Sequence, residues 1–250
     1  MVRTAAAERR SSVKSAATYA VRTGGQRNRK WADDDGGRSY LRTLPVLAGA
    51  SPEPDVSAVP VGPVSLFVTW LRQAVAAGVP EPHAMTLSTV DAHGMPRGRV
   101  LILKAVDEHG WHFAVSSVSQ KGRDLAVNPV AALTFYWPAL VRQVRIIGDV
   151  ICDGARASSD DFLGRPLESR AMALTLRQSQ PLLDIAELDA EIEKAHHKLD
   201  GDPGLVPAEW TSYAVRPIEV EFWQGSSDRR HWRLSYQRVD DHWDSTQLWP

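Results

Sequence analysis

Cationic side chains set inside apolar runs carry the chemistry in this sequence. In Arg99-Val-Leu-Ile-Leu-Lys104, an arginine and a lysine close the two ends of the run Val100, Leu101, Ile102, Leu103. Five residues apart, they fall on opposite faces of a regular strand. Arg142 stands beside Gln143 in Val141–Ile146, which reads as a half-buried strand. Solvent-facing alternation would account for any one of these residues. Several together, with no acidic residue among them, favour an anionic ligand on the sheet. Arginine forks phosphate with two bonds, and lysine offers a point charge. Ser119-Gln120-Lys121-Gly122 reads as a loop between strands. There a hydroxyl, an amide and an ammonium beside a permissive glycine can wrap a phosphate without a helix dipole. The last dense block is Glu221-Phe-Trp-Gln-Gly225 followed by Asp228-Arg-Arg-His231-Trp-Arg233. Trp223 offers a flat face for a ring. Arg229, His231 and Arg233 recur at period two, so on a strand they share a face and call for an anion among them. A surface strand answered by Asp228 and Asp240 is the plainer alternative.

Other machinery is missing from the sequence. There is no Gly-x-Gly-x-x-Gly, no Gly-x4-Gly-Lys-Ser/Thr, no His-Glu-x-x-His and no Gly-x-Ser-x-Gly. His196 and His197 are adjacent on an expected helix and cannot chelate as an i, i+4 pair, so no metal site is read. The 250 residues carry 29 Lys+Arg against 30 Asp+Glu, which argues against a protein that coats nucleic acid. One cysteine, Cys152, excludes an internal disulfide framework. No apolar run approaches the roughly 18 residues of a membrane span, and the short stretch after Arg9-Arg10 makes a poor export signal. The expected setting is cytoplasmic.

Composition divides the chain. Residues 1–42 hold ten Lys/Arg and four Asp/Glu without sustained apolar periodicity, and read as a disordered basic tail. Residues 44–63 hold five prolines and read as an extended linker, so the expectation is a tail and linker over 1–63 and one domain over 64–250. In Ser65–Gly78 the residues Leu66, Phe67, Trp70, Leu71, Ala74 and Val75 recur at helical spacing, with Gly78 as the stop. Strands are expected over 85–90, 98–106, 111–117, 131–137 and 141–152, joined by hairpin-sized loops. Helices follow at 155–163 and 169–176, and at a third segment opened by a capping box of Asp184 and Glu187. Strands return at 212–223, 231–238 and 242–248. A sheet closed by strands from both ends of the domain implies an α+β fold with a small antiparallel β-barrel core.

From about Leu66 to Pro250 these blocks, in this order, resemble the pyridoxamine 5′-phosphate oxidase family of FMN flavoproteins. The specific pieces are Arg99–Lys104, Ser119-x-Lys121-Gly122 with Asn128-Pro129, Trp137-x-x-Leu-x-Arg142-Gln143-Val144, Glu221-Phe-Trp-Gln-Gly225 with Arg229-x-His231-x-Arg233, and Trp243…Leu248-x-Pro250. The resemblance implies an FMN-binding split β-barrel, antiparallel and Greek-key-like with peripheral helices, working as a homodimer with flavin in the intersubunit cleft. It implies FMN contacts at Arg99, Val100, Leu101, Ile102, Leu103, Lys104, Gln120, Lys121, Gln143, Gln178, Ser179, Trp223 and Arg233. Substrate contacts are implied at Lys104, Arg165, Ser169, Arg229, Arg230 and His231, with Arg229 and His231 orienting the substrate ring at the reacting carbon. The implied reaction oxidises pyridoxamine or pyridoxine 5′-phosphate to pyridoxal 5′-phosphate, with dioxygen as acceptor and hydrogen peroxide as product.

Three departures stand out. Asp161 occupies the position, four residues before Arg165, where vitamin-synthesising members usually carry a phosphate-holding tyrosine. Ala114-Val115 replace a more polar pair, and Trp232 is bulkier than usual. A phenazine-biosynthesis branch also lacks that tyrosine. Gly225-Ser-Ser-Asp-Arg-Arg-His231 and Thr246-Gln-Leu-Trp-Pro250 echo it. The alternatives are therefore a specialised flavin oxidase of secondary metabolism and a non-catalytic FMN- or pyridoxal-phosphate-binding protein.

Overall fold

The computed structural model describes residues 38–53 and 59–250. The chain falls into a short unit ending at Pro45 and a large one, Val46–Pro250. In the short unit, a stretch read as disordered contains the helix α1 (Arg38–Thr43). The rest of the expected tail, 1–37, and linker residues 54–58 lie outside the described residues.

The linker bends where it is described, at Leu44, Leu47 and Gly49, with Leu47 at a φ of +53°, and it is attached. Ala50 N–H donates to the Ala139 carbonyl at 2.8 Å, the Ser51 hydroxyl donates to the Gly225 carbonyl, and the Pro60 carbonyl accepts the Tyr236 hydroxyl at 2.9 Å. Helix α2 (Pro63–Ala76) begins with proline at its first turn, where the missing N–H costs nothing. It ends before Gly78, whose φ of +69° is the left-handed stop that glycine adopts without strain. Its apolar stripe enters the barrel. The Phe67 ring lies 4.9 Å from Phe135 and 5.4 Å from Trp111, edge-on to both, and Trp70 meets Phe222 at 5.2 Å. Such aromatic pairs add about 0.5–1.5 kcal/mol each beyond their burial.

Nine antiparallel strands form the sheet: β1 (Ala84–Val90), β2 (Pro96–Ile102), β3 (Ala105–Asp107), β4 (Gly110–Ser116), β5 (Val130–Trp137), β6 (Arg142–Cys152), β7 (Trp210–Gln224), β8 (Trp232–Val239) and β9 (His242–Gln247). The order is β2-β1-β5-β6-β7-β4-β3, with β8 and β9 continuing from β7. The run read as one strand over 98–106 is two, because the chain turns at Leu103-Lys104, whose N–H groups donate to the carbonyls of His83 and His112.

The 15-residue β7 organises the barrel. β6 pairs with it from Tyr213 to Gln224. On its other edge, the first half takes β4 and the second half takes β8. The change of partner coincides with a bulge, where Ile147 faces Glu219, Gly148 faces Pro217, and Ile218 is the extra residue. A Cβ on Gly148 would lie 2.0 Å from the Arg216 carbonyl oxygen, so only glycine fits. Gly148→Ala is expected to destabilise the fold by about 1–3 kcal/mol, the cost of overpacking. A thermal melt should show this as a fall of several degrees, and an unchanged midpoint would contradict the close approach.

Helices α3 (Gln120–Val127), α4 (Ala155–Leu163), α5 (Leu167–Leu174) and α6 (Ile185–Gly201) lie outside the barrel core. The Asp184 cap accepts from Ala186 N–H at 2.9 Å, while Glu187, the expected other half of a capping box, pairs with Arg177 instead. Among the described residues, no helix is long and apolar enough to cross a membrane.

Candidate active site

Lys121 lies at the start of α3, not in a plain loop. Ser119 caps the helix, its hydroxyl accepting from Gly122 N–H at 3.3 Å. A Cβ on Gly122 would fall 2.3 Å from the Ser117 carbonyl oxygen, so the glycine serves close approach to the end of β4 rather than an unusual backbone angle. That approach turns Lys121 inward. Its side chain is buried, with Nζ 2.7 Å from Gln178 Oε1 and 3.2 Å from Ser119 Oγ. Both partners are neutral. Burial, helped by the positive charge of Arg99, pushes the ammonium down to about 8. The helix N-terminus adds its own partial positive charge, which sequence reading excluded.

Arg99 donates to Thr89 Oγ1 at 2.7 Å and lies 3.7 Å from Asp124 Oδ2. Asp124 also accepts from Thr89 and from Gln120 Nε2. Burial lowers the Arg99 guanidinium, against the opposing pull of Asp124.

A cavity of about 940 Å³ opens beside these groups. Its walls include Val100, Leu101, Ile102, Lys104, Lys121 and Gln178. Arg165 and Ser169 line it too, together with Asp161 and Trp210, where Lys104 approaches Asp161. Trp210 organises that end. Its Nε1 donates to Asp161 Oδ2 at 2.9 Å, and the Arg165 guanidinium lies over its ring at 4.4 Å. Asp161 Oδ1 is 3.6 Å from Lys104 Nζ. Arg165 Nε is buried with no hydrogen-bond partner among the described residues. Burial lowers this guanidinium, and the Asp161 charge works the other way.

The remaining expected residues form a second group that does not line the cavity. Gln143, Trp223 and Arg233 face one another in register across β6, β7 and β8, on the opposite side of the sheet from the core row Val144, Phe222 and Leu234. Arg233 is tied to buried Glu221 at 2.8 Å and to the Trp249 carbonyl at 3.0 Å. The expected row of Arg229, His231 and Arg233 on one strand face is not formed. β8 begins at Trp232, and Arg229 sits in a turn with φ of +68°. His231 packs near Trp223, with ring centres 5.0 Å apart, and its Nδ1 accepts from Ser226 N–H at 3.0 Å. Arg230 pairs with Asp228 at 2.7 Å. Leu103 is buried in the core, and Ser179 is exposed with φ of +76°. Arg142 points inward, over Trp70 at 4.3 Å and bonded to Gln224 and Gln73.

The strand cations, which have no acid beside them in their own runs, meet acids from elsewhere in the chain. Asp124, Asp161 and Glu221, distant in sequence, reach Arg99, Lys104 and Arg233. Sequence reading missed Thr89, Asp124, Trp210 and Glu221 as partners, and no spacing signal marks them.

Residues 71–199 match the family model described as pyridoxamine 5′-phosphate oxidase, and residues 210–250 match the pyridoxine 5′-phosphate oxidase C-terminal dimerisation region. The chain is 45% identical over 190 residues to the pyridoxine/pyridoxamine 5′-phosphate oxidase of Thermosynechococcus vestitus, covering 75% of this chain and 89% of that one. It is 43% identical over 198 residues to the enzyme of the same name from Paraburkholderia xenovorans, covering 78% and 92%. Among solved structures it resembles PhzG from Burkholderia lata, in complex with tetrahydrophenazine-1-carboxylic acid, at a TM-score of 0.74 and 31% identity, covering 81% and 99%. It shares its fold with a pyridoxamine 5′-phosphate oxidase-related, FMN-binding protein from Nostoc punctiforme, at a TM-score of 0.59 and 18% identity, covering 78% and 99%.

Proposed function

Because this chain belongs to the pyridoxamine 5′-phosphate oxidase family, we propose that it is an FMN-dependent oxidase that converts pyridoxamine or pyridoxine 5′-phosphate to pyridoxal 5′-phosphate, with dioxygen as acceptor and hydrogen peroxide as product. The observation that carries this reading is Lys121: a buried ammonium whose hydrogen-bond partners among the described residues are all neutral, on the wall of a roomy cavity. A buried cation is costly unless an anion joins it, and a flavin phosphate is such an anion.

Lys121 and Arg99 hold the flavin phosphate, supported by Gln120, Gln178, Ser179 and the helix start. The Arg99–Lys104 segment, of which Val100, Leu101 and Ile102 line the cavity and Leu103 is turned into the core, would flank the flavin. Gln143, Trp223 and Arg233 complete the flavin site from a second copy of the chain. The dimerisation region that contains Trp223 and Arg233, and their separation from the cavity within one copy, support that arrangement. Lys104, Arg165 and Ser169 grip the substrate phosphate, with two charges and a hydroxyl to match its oxygens.

The chemistry that FMN supplies when bound is acceptance of a hydride from the substrate's 4′-carbon, followed by reoxidation by dioxygen. Arg229, Arg230 and His231 orient the substrate ring. Since His231 Nδ1 accepts a hydrogen bond, its proton resides on Nε2, which leaves that nitrogen free to donate.

A second reading rests on Asp161. A carboxylate 3.6 Å from Lys104 cancels half of the cationic charge supplied by Lys104 and Arg165, which favours a substrate with less negative charge than a phosphate. A phenazine-type oxidase fits that requirement.

The purified protein is expected to be yellow, to release FMN on denaturation, and to produce peroxide with pyridoxine 5′-phosphate. A colourless protein that takes up no added FMN would refute both readings. Silence with the vitamer but turnover of a reduced phenazine would establish the second, and bound FMN without turnover of either would mark a binding protein.

A further inference from the structure

His112 stands outside the cavity, yet it joins the two segments that carry the cavity's charges. Its side chain on β4 is 13% exposed, with Nδ1 2.8 Å from Asp153 Oδ2 and Nε2 3.0 Å from Asp107 Oδ1. A ring facing acceptors with both nitrogens makes both bonds only as the imidazolium, because the neutral ring has one N–H and one lone pair. The carboxylates are themselves anchored. Asp107 Oδ1 accepts the N–H groups of His109 at 2.7 Å and Gly110 at 3.3 Å, and Asp153 Oδ2 accepts the Ser212 hydroxyl at 2.9 Å. Burial opposes the charge on His112, but Asp153 and Asp107 outweigh it, so the ring titrates above its ordinary value. Ala105 on β3 and Ala214 on β7 flank it, and Glu108 and His109 of the adjoining turn pair with each other.

Asp107 follows Lys104 by three residues, and Lys104 N–H donates to the His112 carbonyl at 2.8 Å. Asp153 precedes Gly154, the N-cap of α4, which carries Asp161 and leads into Arg165. Resting on the reading that Lys104 and Arg165 take the substrate's anionic group, we infer that His112 is a positioning residue whose imidazolium ties the Lys104 segment to the base of α4 and so sets the spacing of the anion grip. Loss of the proton turns a lone pair toward one carboxylate and converts that bond into a repulsion. The clasp is complete at low pH and is lost as pH rises through the raised value, so the grip weakens on the alkaline side.

The test uses the full-length FMN-loaded protein. Imidazole NMR locates the His112 titration. Hydrogen exchange then follows the Lys104 amide and the first turn of α4, and KM for pyridoxine 5′-phosphate is measured across the same pH range in wild type, His112→Gln and Asp153→Asn. Wild-type exchange protection should fall through the His112 titration, whereas the variants should be unprotected throughout. KM of the variants should exceed that of wild type about tenfold below the titration, the size of one charge-assisted bond, and match it above, with kcat and FMN retention little changed. Exchange that ignores the His112 titration would overturn the clasp, whatever the substrate. So would a KM ratio that stays constant with pH. A protein inert toward the vitamer would refute the substrate reading alone, and the exchange result would still decide the clasp. Should the variants fail to fold, the wild-type titration and exchange decide it.

Discussion

Replacing Lys121 with methionine is expected to lower FMN affinity about a hundredfold while leaving the apoprotein at least as stable as the parent. The loss is that of charge-assisted bonds from a buried donor to a phosphate, about 2.7 kcal/mol. The gain arises because the wild-type protein bears the desolvation of an ammonium whose partners among the described residues are the neutral Ser119 and Gln178. A pH signature accompanies it. The lysine is charged in the unfolded chain up to its ordinary value of about 10.5, but in the fold only up to about 8. The folded apoprotein therefore binds fewer protons between those values, and its stability rises with pH across that window. FMN affinity moves the opposite way, falling about tenfold per pH unit above 8, because binding must first reprotonate the amine. Lys121→Met abolishes both trends, and Lys121→Arg flattens them. Flavin fluorescence titration and thermal melts of the apoprotein measure the two quantities. Arg229→Ala provides the contrast: turnover should drop while FMN stays bound, since Arg229 sits in a turn away from the Lys121 wall. Equal loss of flavin from both variants would contradict this division of labour.

Asp161→Asn is expected to raise affinity for pyridoxine 5′-phosphate about tenfold. The amide oxygen can still accept from Trp210 Nε1, so the local packing survives. What disappears is a negative charge 3.6 Å from Lys104, at the same end of the cavity as Arg165. One unit charge at about 5 Å and an effective dielectric near 20 interacts by about 3 kcal/mol, so a tenfold gain is a conservative share. Asp161→Tyr should act in the same direction. A KM that falls in both variants would identify Asp161 as a barrier to phosphorylated substrates and favour a less anionic natural substrate. A KM that rises in both would mean that Asp161 instead holds Lys104 in place for the phosphate. Because Asp161 and His112 both bear on Lys104, their effects should not be additive.

The strand order of chemistry was legible before the fold. Arg99–Lys104, Ser119–Gly122 and the Glu221–Arg233 block are local signals, and each falls at or beside an element that the hydrophobic pattern anticipates. Helix α2 is an example: its apolar spacing and its glycine stop both appear as expected, because they depend on residues within one or two turns. Element ends were less legible. The 98–106 run breaks at Leu103-Lys104 because its N–H groups find carbonyls on residues distant in sequence, which no local propensity encodes. The run Ser119–Gly122 did carry a local helix signal, a serine N-cap whose hydroxyl meets an N–H three residues on, and reading it as a loop passed that signal over.

By itself, then, the amino-acid order determined which cations stand in apolar runs and where a glycine stops the first barrel helix. The tertiary structure alone decided which of those cations remain uncompensated. Arg99, Lys104 and Arg233 each meet a carboxylate 25, 57 or 12 residues away in the chain, whereas Lys121 meets a hydroxyl and an amide. The physical reason is that charge compensation is a matter of a few ångströms in space. Sheet register and helix docking set those distances, and sequence separation does not.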